Sequence, residues 1–321
     1  MHTPDGFITS WICVIMLLPA ISIIAYALNT ARKWMTKDKA LLMAGMAAAI
    51  FGFQMLNFSI GNGTSGHFVG AALTAILLGP EAAVLVLTAV LLVQTFVYGD
   101  GGLLTIGVNI LNMGIIGSYA AHFTYRLLHR RGLRTAKGSV LSGFVAALVS
   151  VVASSLSAAL LLGASGTISF AKVIPAMVYT HLFIGLGEGL ITAGVLLYVL
   201  NTRAGLLHTA SQLSGAGERA HAGGLARYVG LSTLGALIIT AIGLPFASLS
   251  PDGLNQVALR LGFYSHAQTI YTLAPLQDYT FFGQSAYGFV LLSAAIGMAL
   301  TFVVGYMIAL AAQRALSAQR S

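Results

Sequence analysis

The stretch that decides the fold class is Ser139–Gly163, SVLSGFVAALVSVVASSLSAALLLG, which contains no charged side chain. A helix of this length crosses a hydrocarbon core of about 30 Å, because each residue rises about 1.5 Å. Similar apolar runs recur along the chain. They predict an all-α polytopic membrane protein, since the strands of a membrane barrel alternate apolar and polar residues.

The composition of the 321-residue chain excludes an ordinary soluble domain. Charged residues make up 7% of the chain and hydrophobic residues 57%, and the mean hydropathy is +0.88. Soluble domains carry about 25% charged residues. The net charge of +8 does not indicate nucleic-acid binding, because the basic residues lie in short loops between apolar segments.

About nine apolar segments are predicted to cross the membrane, seven in a first unit and two in a second unit. They cover residues 8–28, 40–60, 67–79, 81–98, 104–128, 139–163, 173–199, 227–249 and 286–311. The third segment is short and flanked by glycine, which is typical of a tilted or re-entrant helix.

The basic residues predict the orientation in a cell inner (plasma) membrane. With the N-terminus outside and the C-terminus inside, 14 of the 16 Lys and Arg residues lie on the cytoplasmic side. Only Lys172 and Arg260 then lie outside. Cytoplasmic loops carry the excess of Lys and Arg, so this orientation is favoured.

The loop at residues 201–226 is polar and rich in Gly, Ala and Ser, as expected of a cytoplasmic linker. It divides the chain into a first unit, residues 1–200, and a second unit, residues 227–321. The chain begins Met1-His2-Thr3-Pro4-Asp5-Gly6 without a Lys or Arg before Arg32, unlike a cleavable signal peptide. The single cysteine, Cys13, has no disulfide partner and is interpreted as a packing residue.

A metal site is predicted where the N-terminus meets the loop Gly61–His67. The amine of Met1, the amide nitrogen of His2 and the His2 imidazole can hold one ion in fused chelate rings, and His67 can supply a fourth nitrogen. Such an all-nitrogen, near-planar site suits Ni(II), Cu(II) and some Co(II) complexes, whereas Mg(II) and Ca(II) prefer oxygen. An incidental exposed His2 and a hydrogen-bonded packing role for His67 remain alternatives.

Several polar residues in or beside the apolar segments are candidates for supporting this site. His181 and Glu188 are seven residues apart, so they share a helical face and can pair or orient the metal loop. The other candidates, which can equally make structural bonds between helices, are Gln54, Asn57, Ser65, Asn109 and Asn112. Asp100, in a Gly-Asp-Gly-Gly turn, is either an entry-site carboxylate or simply a turn residue.

Several motifs, in order along residues 1–200, resemble one family. MHTPDGF at Met1–Phe7 is similar to the MHIPDGF start of the CbiM/NikM substrate-specific components of energy-coupling-factor transporters for cobalt and nickel. The further motifs are GTSGH at Gly63–His67, LGP at Leu78–Pro80, GDGG at Gly99–Gly102, NILNMG at Asn109–Gly114 and HLFIGLGEG at His181–Gly189. The departure is Thr3 in place of Ile, a position that supplies no ligand.

The resemblance implies a role for each matching residue and for partners. Met1 contributes its amine, His2 its amide and ring nitrogens, and His67 its ring nitrogen. No cofactor is bound permanently, and the ion, Ni(II) or Co(II), is the transported ligand. The implied partners are a transmembrane coupling subunit and cytoplasmic ATPase subunits.

The second unit resembles the small accessory component that is sometimes fused to these proteins. The resemblance rests on SPDGL at Ser250–Leu254, although Asn255 replaces the Glu that often follows. A fused unit of this type favours the nickel branch over the cobalt branch.

Two other functions compete with a binding subunit. The chain has no GxxxxGK[ST] phosphate loop, so it does not hydrolyse ATP by that chemistry. A secondary transporter or channel working alone is one alternative, although acidic residues are scarce in the apolar segments. A rhomboid-like serine protease is the other, because Ser65 and Ser165 lie in GxSG patterns and His181 is available as a base.

Overall fold

The computed structural model of the chain describes residues 1–133, 135–203, 222–281 and 283–317. Helices predominate, and six of those in the described residues are long and apolar enough to cross a membrane. The six are Ser10–Arg32, Pro80–Tyr98, Ala136–Ala164, Phe170–Thr202, Leu225–Phe246 and Tyr287–Gln313. The predicted all-α membrane fold is confirmed, whereas nine crossings and the N-outside orientation remain predictions.

The described residues of the first unit form eight α-helices. They are α1 (Ser10–Arg32), α2 (Lys37–Gln54), α3 (Ala71–Leu78), α4 (Pro80–Val93), α5 (Ile106–Asn109), α6 (Gly117–Arg130), α7 (Ala136–Ala164) and α8 (Phe170–Arg203). A π-helical turn, Gln94–Tyr98, extends α4, and a second π-helical stretch, Ile110–Ile116, joins α5 to α6. Each of the seven apolar segments predicted for this unit contains a helix.

The second unit contains α9 (Ala222–Gly243), α10 (Gly253–Leu261) and α11 (Tyr287–Ser317). Short 3-10 turns lie at Leu244–Phe246, Tyr264–His266 and Gln277–Tyr279. Most of the linker predicted at 201–226 falls on residues 204–221, outside the described residues. The described part of the second unit starts with α9 at Ala222, and the predicted boundaries at 201 and 227 stay predictions.

A β-hairpin interrupts the helical bundle, and the prediction of one apolar helix over residues 40–60 is wrong at its end. Strand β1 (Phe58–Gly61) pairs antiparallel with β2 (Thr64–Gly66). The turn residues Asn62 and Gly63 have φ of 51° and 67°. An Asn-Gly pair adopts these positive angles readily and closes a tight hairpin. That dipeptide was the signal for the hairpin.

Helices α3 and α4 form the centre of the first unit. All residues of α3 except Leu78 are buried, and α4 contacts α1, α2, α3 and α6 of this unit. Gly70 and Gly79 bracket α3 with φ of 80° and 91°, and Pro80 starts α4 at once. Because a sharp turn lies at each end of α3, the third apolar segment of the sequence is short. Helix α1 lies at the periphery, with Trp11 and Leu18 exposed.

The second unit packs against α2 of the first. Both α9 and α11 contact α2. A methyl group at Gly45 would overlap Val229, and one at Gly52 would overlap Thr240 and Met298. Small residues permit such close approach of membrane helices. The docking brings the segment between α9 and α10 against the β-hairpin, where the Ser65 amide donates to the Pro251 carbonyl at 2.9 Å.

Candidate metal site

The N-terminal segment is inserted into the bundle and held by its own backbone. The Thr3 amide donates to Asn109 Oδ1 at 2.8 Å, and Asn109 Nδ2 donates to the Thr3 carbonyl at 3.2 Å. The Thr105 hydroxyl donates to the same carbonyl at 2.6 Å. Asn109 therefore hydrogen-bonds to both main-chain groups of Thr3. These bonds fix the position of Met1 and His2, the two residues that precede Thr3.

A buried carboxylate anchors the other end of the segment. Asp5 accepts the amides of Leu103, Leu104 and Thr105 at 2.9 to 3.1 Å. These amides precede α5, where a negative charge is favourable. The Pro4-Asp5-Gly6 turn thus attaches the N-terminus to the start of this helix. A methyl group at Gly102 would overlap Asp5, so glycine is required for this fit.

The amine of Met1 lies between a histidine and a carboxylate. Its nitrogen is 3.4 Å from His67 Nε2 and 2.6 Å from Asp252 Oδ2. Met1, His2 and His67 are all buried, with at most 7% of each residue exposed. The structure therefore brings together the three residues that the sequence predicts as ligands, and adds Asp252 from the second unit.

The ring of His2 has a polar neighbour at each nitrogen. Its Nε2 is 3.0 Å from Gln94 Oε1, and its Nδ1 is 3.5 Å from Asp100 Oδ1. The ring centroids of His2 and His67 are 5.2 Å apart. Tyr279 of the second unit donates its hydroxyl to Asp100 Oδ2 at 2.5 Å. Both units thus contribute to the surroundings of His2.

The protonation states of these groups favour binding of a cation. Burial lowers the pKa of His2 below the ordinary 6.5, with the Asp100 carboxylate opposing the shift. Burial also lowers the pKa of His67 well below that value, and the positive N-terminus adds to the effect. Burial alone would raise the pKa of Asp252, but the adjacent amine outweighs it and holds this pKa below its ordinary value. At neutral pH both imidazoles are uncharged, each with a free lone pair.

His67 follows the β-hairpin and is positioned by a buried acid. Glu188 of α8 accepts the amide of Val69 at 2.9 Å and that of Gly70 at 3.0 Å. These amides start α3, whose N-terminus carries a partial positive charge. Glu188 therefore fixes the backbone two residues after His67. The sequence left two roles open for Glu188, pairing with His181 or orienting the metal loop, and these contacts correspond to the second.

Two cavities adjoin the candidate ligands. A vestibule of about 770 Å³ lies between the two units and is lined by His2, His67, Asp100, Asp252 and Tyr279 among others. A small enclosed cavity of about 10 Å³ is lined by Met1, His67, His181 and Asp252 among others. The vestibule is wide enough for a hydrated ion, and it reaches both histidines.

Side chains alone do not complete a metal site. In residues 1–133, 135–203, 222–281 and 283–317, no three His, Cys, Asp or Glu side chains form a group that could hold an ion. The main-chain nitrogens of Met1 and His2 are further nitrogen donors beside His67. Nitrogen donors about 2.0 to 2.1 Å from a metal suit the late first-row ions.

The remaining candidate residues are held in structural contacts. The Asn57 carbonyl accepts the Ser248 amide at 2.8 Å, and Asn112 Oδ1 accepts the Ser157 hydroxyl at 2.8 Å. Neither contact involves the N-terminal segment, although Asn57 lines the same cavity as His2 and His67. Among these three asparagines, the hydrogen bonds of the described residues connect Asn109 to that segment, and support of the site by Asn57 and Asn112 stays a prediction.

Ser65 and His181 also have roles other than those considered from the sequence. The Ser65 hydroxyl donates to the Ser250 carbonyl at 2.7 Å. His181 Nδ1 donates to the Met177 carbonyl at 2.8 Å, so His181 does not pair with Glu188. His181 Nε2 has no hydrogen-bond partner within the described part of the chain, and the Ser65 hydroxyl is bonded to Ser250, so Ser65 and His181 are not hydrogen-bonded as the nucleophile and base of a serine protease.

Sequence reasoning missed Asp252, Gln94 and Tyr279 as neighbours of the site. Asp252 belongs to the SPDGL motif, which was noticed, but nothing in the sequence connects it to residue 1. Gln94 ends a buried helix without a recognisable motif. Only the docking of the second unit brings Asp252 and Tyr279 to the N-terminus.

The fold and the site define a multi-pass membrane protein with a candidate transition-metal site at its inserted N-terminus. Residues 2–206 match the model of CbiM, described as the cobalt uptake substrate-specific transmembrane region, and residues 226–314 match the PDGLE domain. The chain belongs to the CbiM family and carries a fused PDGLE domain. The resemblance seen in the sequence is thereby confirmed.

Relatives and solved structures agree with this family. The "Putative fused nickel transport protein NikMN" of Archaeoglobus fulgidus is 32% identical, over 95% of this chain and 97% of its own length. The cobalt transport protein CbiM of Sorangium cellulosum is 31% identical, over 64% of this chain and 94% of its own. A crystal structure of a truncated transition metal transporter is 33% identical with a TM-score of 0.57, over 63% of this chain and 99% of its own. The family and these relatives indicate a metal transport protein.

Proposed function

We propose that the chain is the substrate-binding transmembrane component of an energy-coupling-factor transporter that imports a divalent transition metal. The ion is held by the Met1 amine, the His2 amide and Nδ1, and His67 Nε2. The observation that carries this proposal is the 3.4 Å separation of the Met1 amine and His67 Nε2, with the His2 ring beside them. The ion needs to displace only the proton of the amine and that of the amide, because both imidazoles are neutral.

Nickel is favoured over cobalt as the substrate. A near-planar set of four nitrogens with an ionised amide requires a strongly binding metal. In the series of increasing affinity, Ni(II) follows Co(II) and precedes Cu(II), so Ni(II) binds such a site more tightly than Co(II) does. The relative from Archaeoglobus fulgidus, which matches almost the whole chain, is named for nickel. The relatives named for cobalt match only 64% of this chain.

Energy for import comes from partner subunits. The chain carries no phosphate-binding loop, so a transmembrane coupling subunit and cytoplasmic ATPase subunits supply ATP hydrolysis. Proteoliposomes that contain only this chain are expected to bind the metal but not to accumulate it with ATP. Accumulation that needs no partner would favour a self-contained secondary transporter or channel.

The chelate is tested by calorimetric titration of the purified protein with Ni(II) and Co(II). His2→Ala and His67→Ala are each expected to abolish tight binding. His266→Ala removes a histidine from the second unit outside the site and serves as the control. Wild-type affinity in His2→Ala would overturn the amine-and-amide chelate, because the substitution removes the imidazole nitrogen that closes its six-membered ring.

A further inference from the structure

A buried chain of hydrogen bonds links the two loops that carry His2 and His67. Gln54 Nε2 donates to the Val69 carbonyl at 2.8 Å, and Gln94 Nε2 donates to Gln54 Oε1 at 2.7 Å. Gln94 Oε1 then faces His2 Nε2 at 3.0 Å. Gln94 is fully buried and Gln54 is 5% exposed, so these bonds are shielded from water. We call this chain, from Val69 through Gln54 and Gln94 to His2, the glutamine relay.

The hydrogen bonds of the relay can run from donor to acceptor in only one direction, and the Val69 carbonyl sets that direction. A carbonyl can only accept, so the Gln54 amide must turn its NH₂ group to Val69 and its oxygen to Gln94. Gln94 must then turn its own NH₂ group to Gln54, which leaves Gln94 Oε1 for His2. Reversing either amide would place two donors or two acceptors face to face in a buried site.

This direction determines which nitrogen of His2 carries the proton. Gln94 Oε1 and Asp100 Oδ1 both accept, so they compete for the single N–H of the neutral His2 ring, and the shorter contact, 3.0 Å to Gln94 against 3.5 Å to Asp100, places this N–H at Nε2. Its Nδ1 then has a lone pair. Nδ1 is the ring nitrogen that can close a six-membered chelate ring with the His2 amide, and the second neighbour of the ring, Asp100 Oδ1, lies on this side at 3.5 Å.

We propose that Gln54 and Gln94 are positioning residues that hold His2 in its Nε2–H tautomer and keep Nδ1 free for the metal. This inference rests on the proposed chelate and explains how its ring nitrogen is prepared before the ion arrives. The partner of the second ring nitrogen commonly fixes the tautomer and orientation of a metal-binding histidine. Here the partner is a neutral amide whose own orientation is fixed by Val69, two residues from His67.

The helix that carries Gln94 has an irregular turn at the contact with His2. Gln94 is the first residue of the π-helical turn Gln94–Tyr98, and Asp100 lies two residues after that turn, beyond Gly99. One short segment therefore supplies the groups that face both nitrogens of the His2 ring. π-Helical turns inside α-helices occur frequently at functional sites.

The relay is tested by measuring the ¹⁵N chemical shifts of the His2 ring in the metal-free protein, together with the affinity for Ni(II). The wild-type protein is expected to show a protonated Nε2. Gln94→Met and Gln54→Met are expected to give a mixture of tautomers and to weaken Ni(II) binding about 10- to 100-fold.

Thr88→Val is the matched control, because Thr88 is a buried polar residue of the same helix whose hydroxyl donates to Val84 within the helix. A wild-type His2 protonated at Nδ1 would overturn the inference. The inference would also be overturned if the Gln94→Met and Gln54→Met variants kept both the Nε2–H signal of His2 and the wild-type affinity for Ni(II). The chelate itself fails by a different result, undiminished Ni(II) binding in His2→Ala.

Discussion

Asp252 Oδ2 lies 2.6 Å from the amine of Met1, although 251 residues separate the two along the chain. The carboxylate belongs to the PDGLE domain, and the amine belongs to the candidate metal site of the CbiM domain. Asp252 also accepts the Asn255 amide at 2.9 Å and so starts helix α10. The fused domain is therefore in direct contact with the N-terminus that we propose to bind the metal.

Asp252→Asn is expected to weaken Ni(II) binding about 10- to 100-fold, the usual effect of losing a group that orients a ligand. The substitution removes the charge that holds the Met1 amine beside His67, while an asparagine still caps α10. Titration calorimetry measures the change. Asp278→Asn, at an exposed acid of the same domain, should bind as the wild type does. Equal affinities for both variants would show that the contact has no role in binding.

Metal binding is expected to release about two protons per ion near neutral pH, one from the amine and one from the amide. The imidazoles release none, because burial lowers the pKa of both His2 and His67 below 6.5. The apparent affinity should therefore rise with pH, about tenfold per pH unit for each proton displaced. Calorimetry in buffers with different ionisation enthalpies counts the protons. Release of none would exclude an ionised amide ligand.

Glu188→Gln is expected to lower the free energy of unfolding by about 1 to 3 kcal/mol, the cost of leaving a buried donor without a partner. Glutamine has one acceptor oxygen where the carboxylate uses two, for Val69 and Gly70. Metal affinity should fall as well, because the backbone that follows His67 loses an anchor. Thermal unfolding with and without Ni(II) measures both effects. Glu81→Gln, in the first turn of α4, is the control.

Asn109→Ala and Asn112→Ala form a matched pair, three residues apart on one helical segment. Asn109 binds both main-chain groups of Thr3, whereas Asn112 accepts from Ser157 of α7. Asn109→Ala is expected to weaken Ni(II) binding about 10- to 100-fold, and Asn112→Ala to leave it nearly unchanged. Both affinities can be measured by the same titration. Equal losses would mean that the Thr3 contacts do not position the terminus.

The helical membrane fold was predictable because apolar runs about 20 residues long can satisfy their backbone groups in lipid only as helices. The departures occur where local sequence is ambiguous. Phe58–Gly61 is apolar enough to extend α2, yet it forms a strand because Asn62-Gly63 favours a hairpin turn. The residues of α10 lie in a polar region without a long apolar run, so no membrane helix was predicted there.

The sequence by itself determined the class of fold, the family and the three candidate ligands Met1, His2 and His67. The class of fold follows from the long apolar runs. The family and the candidate ligands follow from short motifs, each made of residues that are close along the chain. Only the tertiary structure decided what surrounds the ligands: Asp252 at the amine, Gln94 and Asp100 at the two nitrogens of His2, and Glu188 behind His67. The physical reason is that hydrogen bonds between distant segments depend on how helices dock, and docking leaves no local pattern in the sequence.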